Sequence, residues 1–210
     1  MTDEIVFYTN PMSRGRIARW MLEEVGRPYR TEIIAYENNK SPEYLAINPM
    51  GKVPSMTHRG MVVTECAAIC AYLADAFPDA GLAPPPGSPA RAPYYRWLFF
   101  AAGPIEAATT NKSLGFVVPP GREMMAGYGT HERVLDVMEQ AVSGSDYLAG
   151  DRFSAADVYF GSQIAFGMQF GSMEKRPAFV AYVDRLTARP AYKRASDIDN
   201  ALMPPPPAAA

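Results

Sequence analysis

The 210-residue sequence predicts an α/β N-terminal domain followed by an all-helical C-terminal domain. In the first part, short apolar runs and helical stripes alternate in the order strand, helix, strand, strand, strand, helix. A proline-rich stretch then interrupts the chain, and helical spacing dominates the residues after it. The first part therefore predicts a βαβ unit followed by a ββα unit, and the second part a helical bundle.

The βαβ unit occupies about the first 35 residues. Residues 5–8 form an apolar run that stops at the turn-like residues 9–11, as expected of a buried strand. After Ser13, apolar residues recur on one helical face, at Ile17, Ala18, Met21, Leu22 and Val25. The glycine and proline in 26–28 end this helix, and residues 29–35 predict a second strand. A parallel pairing with a right-handed crossover is the default for such a unit.

The ββα unit follows a rigid bend. Pro54 fixes its own φ and pushes Val53 towards an extended conformation, and an X-Pro bond permits the cis isomer without requiring it. Two short runs, 54–58 and 61–64, are separated by a tight-turn Arg-Gly pair and predict a hairpin. Thr64 is then predicted to cap a helix, with the charge of Glu65 in its first turn.

Composition divides the chain into segments. We predict a first domain over residues 1–78, a semi-rigid proline-rich linker over 79–91, a helical domain over 92–203 and a disordered proline-alanine tail over 204–210. Within the helical domain, Gly103-Pro104 is expected to break or kink a helix. Ser154 and Asp157 have the spacing of a helix N-terminal capping box.

Charge and composition exclude several classes of partner. The chain is 48% hydrophobic and 20% charged, with a formal net charge of -2 and no cluster of basic residues, so nucleic acid and anionic membranes are not expected partners. The acidic N-terminus does not resemble a secretory signal, and no apolar run is long enough to span a membrane.

The cysteines and histidines give no metal-binding spacing. Cys66 and Cys70 lie four residues apart on one helix, too far apart for a disulfide, so both are expected to be reduced thiols, as in a cytoplasmic protein. His58 and His131 are isolated and are expected at the surface. No spacing of His, Cys, Asp or Glu indicates a metal site.

Four motifs in order carry a resemblance to a known family. They are SRGRIARWMLEE after the first strand, NPMGKVPSM, TECAAICAYLAD, and GDRFSAADV followed by ARPAYKRA. With these motifs the chain resembles a cytosolic glutathione transferase of the bacterial, theta/beta-like type. The resemblance implies a thioredoxin-like N-terminal domain that holds glutathione as co-substrate, a helical domain that covers an apolar electrophile, and a homodimer. It implies conjugation of the glutathione thiol to hydrophobic electrophiles.

The resemblance also assigns binding roles. It implies that the backbone of Val53, before a cis Pro54, pairs with the cysteinyl backbone of glutathione, and that Lys52 lies near the glycyl carboxylate. Glu65 would pair with the γ-glutamyl amine, and Cys66 would face the γ-glutamyl carboxylate at a helix N-terminus, which is a ready anion site. Most family members have serine at position 66, and a thiol is a weaker hydrogen-bond donor.

The group that activates the glutathione thiol has two candidates. Aligned on the helix, Asn10 falls where serine-type family members carry their catalytic serine, whereas alignment on the turn selects Ser13. Tyr8 comes too early in either alignment. Both candidates also have structural interpretations, since Asn10 suits a turn before proline and Ser13 suits a helix cap.

Two other functions remain open at this point. A non-catalytic binding or scaffold protein could keep the same fold, because position 66 lacks a hydroxyl and the thiol donor is not unique. A glutathione-dependent disulfide or peroxide reductase would use Cys66 or bound glutathione as its redox thiol.

Overall fold

The structure is a computed structural model and describes residues 3–203. The chain forms two compact units, one made of residues 3–73 with 189–203 and the other of residues 74–188. The predicted domain limits at residues 78 and 91 stay predictions, and the predicted disordered tail, 204–210, lies outside the described residues.

The first unit contains a four-stranded mixed sheet in the order β2-β1-β3-β4. Strand β1 pairs in parallel with β2 and antiparallel with β3, and β3 pairs antiparallel with β4. The strands are β1 (Ile5–Thr9), β2 (Tyr29–Ile33), β3 (Ser55–His58) and β4 (Met61–Thr64). The helices that accompany them are α1 (Gly15–Val25), α2 (Pro42–Leu45) and α3 (Cys66–Ala76). The predicted thioredoxin-like order, βαβ then ββα, is confirmed.

Helix α1 packs its apolar stripe into the core of this unit. The predicted stripe is buried throughout, as is most of β1. Gly26 ends α1 in the left-handed conformation, with φ of 68°, and its N–H donates to Leu22 O, as expected of a helix C-terminal glycine. At the other end, a Cβ on Gly15 would collide with the Thr9 hydroxyl, so the start of α1 can approach β1 only with glycine there.

The start of α3 differs from the prediction. Thr64 does not cap the helix, because it is the last residue of β4 and pairs with Ser55 across the hairpin. The helix begins at Cys66, and Glu65 joins strand to helix with a positive φ of 68°. The second strand is also shorter than predicted and ends at Ile33, two residues before the expected limit.

The last helix, α9 (Pro190–Ala201), belongs to the first unit and packs against α1. Trp20 of α1 meets Tyr192 edge to face, with ring centroids 5.0 Å apart. Arg194 Nε lies 3.1 Å from Glu23 Oε2, so charged groups also join the two helices. Helical spacing in the sequence predicts helices after the proline-rich stretch, but it does not predict the place of α9 beside α1.

The second unit is helical, as predicted. Its helices are α4 (Arg91–Phe100), α5 (Glu106–Ser113), α6 (His131–Ser143), α7 (Ala155–Gln169) and α8 (Pro177–Thr187). The expected break at Gly103-Pro104 takes the form of a π-helical turn, Ala101–Ile105, that joins α4 to α5. The capping box of Ser154 and Asp157 is confirmed at the start of α7. Across residues 3–203, no helix combines the length and apolar character that crossing a membrane requires.

Candidate functional site

Strand pairing brings the predicted site segments to one end of the sheet. Tyr8 of β1 pairs with Ser55 of β3, and Ser55 pairs with Thr64 of β4. The residues just beyond these partners therefore lie side by side at the carboxyl end of β1. They comprise the loop after β1, the bend before β3 and the start of α3, which carry Asn10, Val53, Pro54, Glu65 and Cys66.

Two side chains, Tyr44 and Asn48, hold the backbone of the bend before β3 in place. The carbonyl of Lys52 accepts hydrogen bonds from Tyr44 Oη at 2.6 Å and from Asn48 Nδ2 at 2.8 Å. Tyr44 Oη and Asn48 Nδ2 also reach the buried Ser55 hydroxyl, at 3.0 and 3.2 Å. Burial raises the pKa of Tyr44, so its hydroxyl keeps the proton that it donates. Sequence reasoning missed this support.

The bend itself presents unpaired backbone. The Val53–Pro54 peptide bond is cis. Within the part of the chain that the structure describes, neither the N–H nor the C=O of Val53 makes a hydrogen bond. An unpaired extended residue at the end of a sheet can accept another extended backbone as an added strand.

Two ammonium groups flank the bend. The side chain of Lys52 is exposed, as its predicted role requires. Lys40 Nζ donates to the carbonyl of Met50 at 2.8 Å and so places a second positive charge beside the same bend. No local sequence pattern identifies Lys40, because the segment that brings it to the bend has no regular periodicity. Both ammonium groups are suited to a carboxylate ligand.

Glu65 occupies the N-cap position of α3. Its carbonyl accepts the first helical hydrogen bond, from Ile69 N at 2.8 Å, while its side chain is exposed. A positive φ is uncommon outside glycine and costs about 1 kcal/mol or more. The next N–H groups of α3 are those that a helix leaves without internal partners, so an anion can bind there.

The two cysteines of α3 have different environments. Neither forms a disulfide, as predicted. Cys70 is fully buried, and burial raises its pKa well above the ordinary value, with a contribution from Cys66. Cys66 is 7% exposed, and its Sγ donates a weak hydrogen bond to the carbonyl of Arg14 at 3.5 Å. Cys66 is therefore the thiol next to the loop after β1, and Cys70 is a core residue.

Asn10 is buried, and its amide is oriented by two backbone groups. Its Oδ1 accepts from Met12 N at 2.9 Å, and its Nδ2 donates to Ile34 O at 3.1 Å. This orientation is fixed, because a backbone N–H only donates and a carbonyl only accepts. The second N–H of Nδ2 makes no hydrogen bond among residues 3–203, so it can donate to a ligand.

The hydroxyl of Ser13 is used within the turn. Ser13 Oγ donates to Asn10 O at 2.7 Å and accepts from Gly15 N at 2.9 Å. It thereby satisfies one of the free N–H groups at the start of α1, which is the structural role considered for it. Donation to a ligand would require Ser13 to give up its bond to Asn10.

Tyr8 lies at the end of β1 and packs against Tyr44. Its side chain is half-buried, and the two ring centroids are 6.1 Å apart.

No group of His, Cys, Asp or Glu among the described residues could hold a metal ion.

The chain is similar to known proteins over most of its length. Residues 12–76 match the family model of the glutathione S-transferase N-terminal domain, and residues 105–190 match that of the C-terminal domain. Protein LigF of Sphingobium sp. is 31% identical over 191 residues, which cover 70% of this chain and 74% of that protein. Glutathione S-transferase A of Pleuronectes platessa is 29% identical, with 82% of each chain covered.

Solved structures show the same similarity. A glutathione transferase from Methylococcus capsulatus superposes with a TM-score of 0.78 at 29% identity, covering 94% of this chain and 99% of that one. A sphingomonad glutathione S-transferase complexed with glutathione superposes with a TM-score of 0.74 at 27% identity, covering 93% of this chain and 98% of that one.

Proposed function

Because the chain belongs to the glutathione S-transferase family, we propose that it conjugates the thiol of glutathione to a small apolar electrophile. The observation that carries the proposal is a convergence at the carboxyl end of β1. An uncommitted amide N–H of Asn10, the unpaired backbone of Val53 and the N-terminus of α3 lie there together.

Glutathione binds in this proposal as an extended peptide across the end of the sheet. Its cysteinyl backbone pairs with the N–H and C=O of Val53 beside Pro54. Its glycyl carboxylate meets the ammonium of Lys52, and its γ-glutamyl amine meets Glu65. The γ-glutamyl carboxylate lies at the start of α3, where backbone N–H groups bind it. The Cys66 thiol is a weak donor and joins them only by giving up its bond to Arg14 O.

Activation of the thiol needs only a modest stabilisation of its thiolate. A free thiol has a pKa of about 8.5, and lowering it by about two units requires roughly 2.7 kcal/mol. One hydrogen bond to a charged group supplies about 1.5–3 kcal/mol, and a helix N-terminus about 0.3–1 kcal/mol. One donor with one helix dipole is sufficient. We propose Asn10 as the donor and Ser13 as the alternative, since only Asn10 has a donor that the loop does not already use.

A spectroscopic titration of bound glutathione tests the mechanism. We expect wild-type protein to hold the thiol pKa below its solution value and Asn10→Ala to raise it by about one unit or more, which corresponds to losing a bond to a charged group. Asn38→Ala is the matched control, because Asn38 is exposed and its side chain makes no hydrogen bond within residues 3–203. An unshifted thiol pKa in wild type, or one that neither Asn10→Ala nor Ser13→Ala changes, would contradict the mechanism.

Two other functions are distinguished by direct measurements. A non-catalytic scaffold would not be retained on immobilised glutathione, and millimolar glutathione would leave its melting temperature unchanged. A disulfide or peroxide reductase is suggested by the placement of the Cys66 thiol at the site. It would turn over a disulfide faster than an aryl halide, and Cys66→Ser would abolish that activity where Cys66 is the redox thiol and leave it where bound glutathione is. The proposed transferase would turn over the aryl halide faster in both proteins.

We also propose that the protein is a cytoplasmic homodimer, as family membership suggests. Light scattering of the purified protein tests the oligomeric state, and cell fractionation tests the location.

A further inference from the structure

We propose that Arg16 is a positioning residue for Asn10 and that the C-terminal helix α9 holds Arg16 in place. The activity readouts rest on the function proposed above, but the contacts do not. Arg16 lies in the first turn of α1, and none of the binding or catalytic roles considered above uses it.

A single peptide unit connects Arg16 with Asn10. Arg16 Nε donates to the carbonyl of Pro11 at 2.6 Å. The N–H of the same peptide unit, on Met12, donates to Asn10 Oδ1 at 2.9 Å. Because a peptide unit is planar and rigid, Arg16 holds one end of the plane and Asn10 is bound to the other. A rotation of this plane would remove the N–H that orients the Asn10 amide.

The charge on Arg16 strengthens this connection. A cationic donor on a carbonyl polarises the peptide, which makes its N–H a better donor to the next acceptor in the chain of bonds. A firmly bound Oδ1 leaves Nδ2 as the free end of the Asn10 amide. One of its N–H groups is used by Ile34 O, and the other is left to donate to the thiolate.

Helix α9 holds the other end of the guanidinium. Arg16 Nη2 donates to Asn200 Oδ1 at 2.9 Å. The neighbouring Asp199 binds Arg19, which lies three residues after Arg16 and therefore on the same side of α1. The buried bond from Arg19 to Asp199 fixes α9 beside α1, and Asn200 then bonds to Arg16. The planar guanidinium serves two acceptors at once, which one lysine ammonium cannot do in a fixed geometry.

Four variants test the proposal. Arg16→Met removes both bonds, Arg16→Lys keeps the charge without the fork, and Asn200→Ala removes only the bond to α9. Arg194→Met is the matched control, because Arg194 also joins α9 to α1, through Glu23, but makes no contact with the loop after β1.

We expect Arg16→Met to raise the pKa of the bound glutathione thiol by about 0.5–1 unit and to lower kcat/KM at neutral pH by about three- to tenfold. The KM for glutathione should change less than kcat, since the binding groups at Val53 and Glu65 are untouched. Arg16→Lys and Asn200→Ala should shift the pH profile in the same direction by smaller amounts. Arg194→Met should lower the melting temperature without moving the profile.

Amide hydrogen exchange at Met12 gives a readout that does not need activity. Arg16→Met should speed exchange of the Met12 N–H, because its bond to Asn10 is loosened, and Arg194→Met should not. Equal exchange rates in Arg16→Met and wild type would overturn the proposal. The proposal would also be overturned if wild type lowers the pKa of the bound glutathione thiol and Arg16→Met lowers it equally. If wild type does not lower the thiol pKa, the proposed function fails, and the exchange result alone decides the role of Arg16.

Discussion

Asp199 Oδ1 accepts a hydrogen bond from Arg19 Nε at 2.6 Å, and each of the two side chains is only 1% exposed. Arg19 Nη1 also lies 3.2 Å from the hydroxyls of Tyr29 and Thr31. Arg19 Nη2 and Asp199 Oδ2 have no partner among the described residues. Taking two charges out of water costs free energy that an incompletely bonded pair does not fully recover. The pair therefore fixes the place of α9 more than it stabilises the fold.

Removing one partner of this pair should lower the free energy of unfolding far more than removing both. We expect Asp199→Leu to lower the free energy of unfolding by about 3–5 kcal/mol, because it leaves a buried guanidinium without its counter-charge. The double variant Arg19→Met with Asp199→Leu should recover most of that loss. Urea unfolding measures both, with the exposed Asp197→Leu as control. A double variant as unstable as the single one would show that the pair itself is a net source of stability.

The same pair should make stability depend on pH. Burial raises the pKa of Asp199, because desolvation outweighs the attraction of Arg19. Folding thus favours the protonated acid, so the contribution of Asp199 to stability is complete below the unfolded value of 3.8 and is lost as pH rises through the folded pKa. Relative to Asp199→Asn, which does not titrate, wild type should lose stability over this window. Urea unfolding at stepped pH measures the free energy of unfolding of both proteins. A wild type that becomes more stable relative to Asp199→Asn as pH rises would contradict the assignment.

The features that the sequence predicted well have local causes. The capping box at Ser154, the C-terminal glycine of α1 at Gly26 and the hairpin turn at Arg59-Gly60 each depend on a few neighbouring residues. His58 shows the limit of such reasoning. It was expected at the surface but is 1% exposed, with Nδ1 2.9 Å from Tyr72 Oη and Nε2 3.2 Å from Asp3 Oδ1. These partners are distant in sequence, so no local pattern reveals them.

The residues of the candidate site could be predicted from the sequence, but their hydrogen-bond partners could not. The motifs selected the residue types, and strand register explains why they meet at one end of the sheet. The sequence could not rank Asn10 against Ser13, because the difference lies in which donors the folded loop already uses. It also could not find Arg16 or Lys40, which reach the site by donating to the backbone carbonyls of Pro11 and Met50. A carbonyl is present at every residue and therefore leaves no sequence signal.

Asp157 should be a strong stability determinant of the second unit. Its two buried oxygens accept from Leu148 N at 2.9 Å, Tyr182 Oη at 2.7 Å, Ser154 N at 2.9 Å and Ser154 Oγ at 3.0 Å. An asparagine has only one accepting oxygen, so its amide nitrogen would face donors. We expect Asp157→Asn to lower the free energy of unfolding by about 2–4 kcal/mol, the scale of losing bonds to a buried charge. Urea unfolding measures it against the exposed Asp184→Asn, and a loss below about 0.5 kcal/mol would contradict this role.

Cys66 should limit the affinity for glutathione. Its thiol is a weak donor at the position that faces the γ-glutamyl carboxylate in the proposed complex. We expect Cys66→Ser to lower the Kd for glutathione about fivefold, which corresponds to about 1 kcal/mol for one improved hydrogen bond. Cys66→Ala is the control, since it removes the thiol without adding a donor. Calorimetric titration compares the three proteins, and equal affinities in the Ser and Ala variants would place the carboxylate elsewhere.

Replacing Glu65 with glycine should weaken glutathione binding with little change in stability. Its φ of 68° strains any residue that carries a Cβ, so Glu65→Gly relieves roughly 1 kcal/mol, offset by the greater freedom of glycine in the unfolded chain. We therefore expect a free energy of unfolding within about 1 kcal/mol of wild type. Glutathione affinity should fall by about 10- to 100-fold, because the counter-charge to the γ-glutamyl amine is lost.

Two further substitutions at position 65 separate strain from charge. Glu65→Gln keeps the strained backbone but loses the charge, so it should weaken binding with little change in stability. Glu65→Val places a β-branched side chain at a positive φ and should destabilise the fold by more than about 1 kcal/mol. If Glu65→Gly binds glutathione as tightly as wild type in a calorimetric titration, the γ-glutamyl amine must be bound by another group, and the strained backbone at position 65 would need a different explanation.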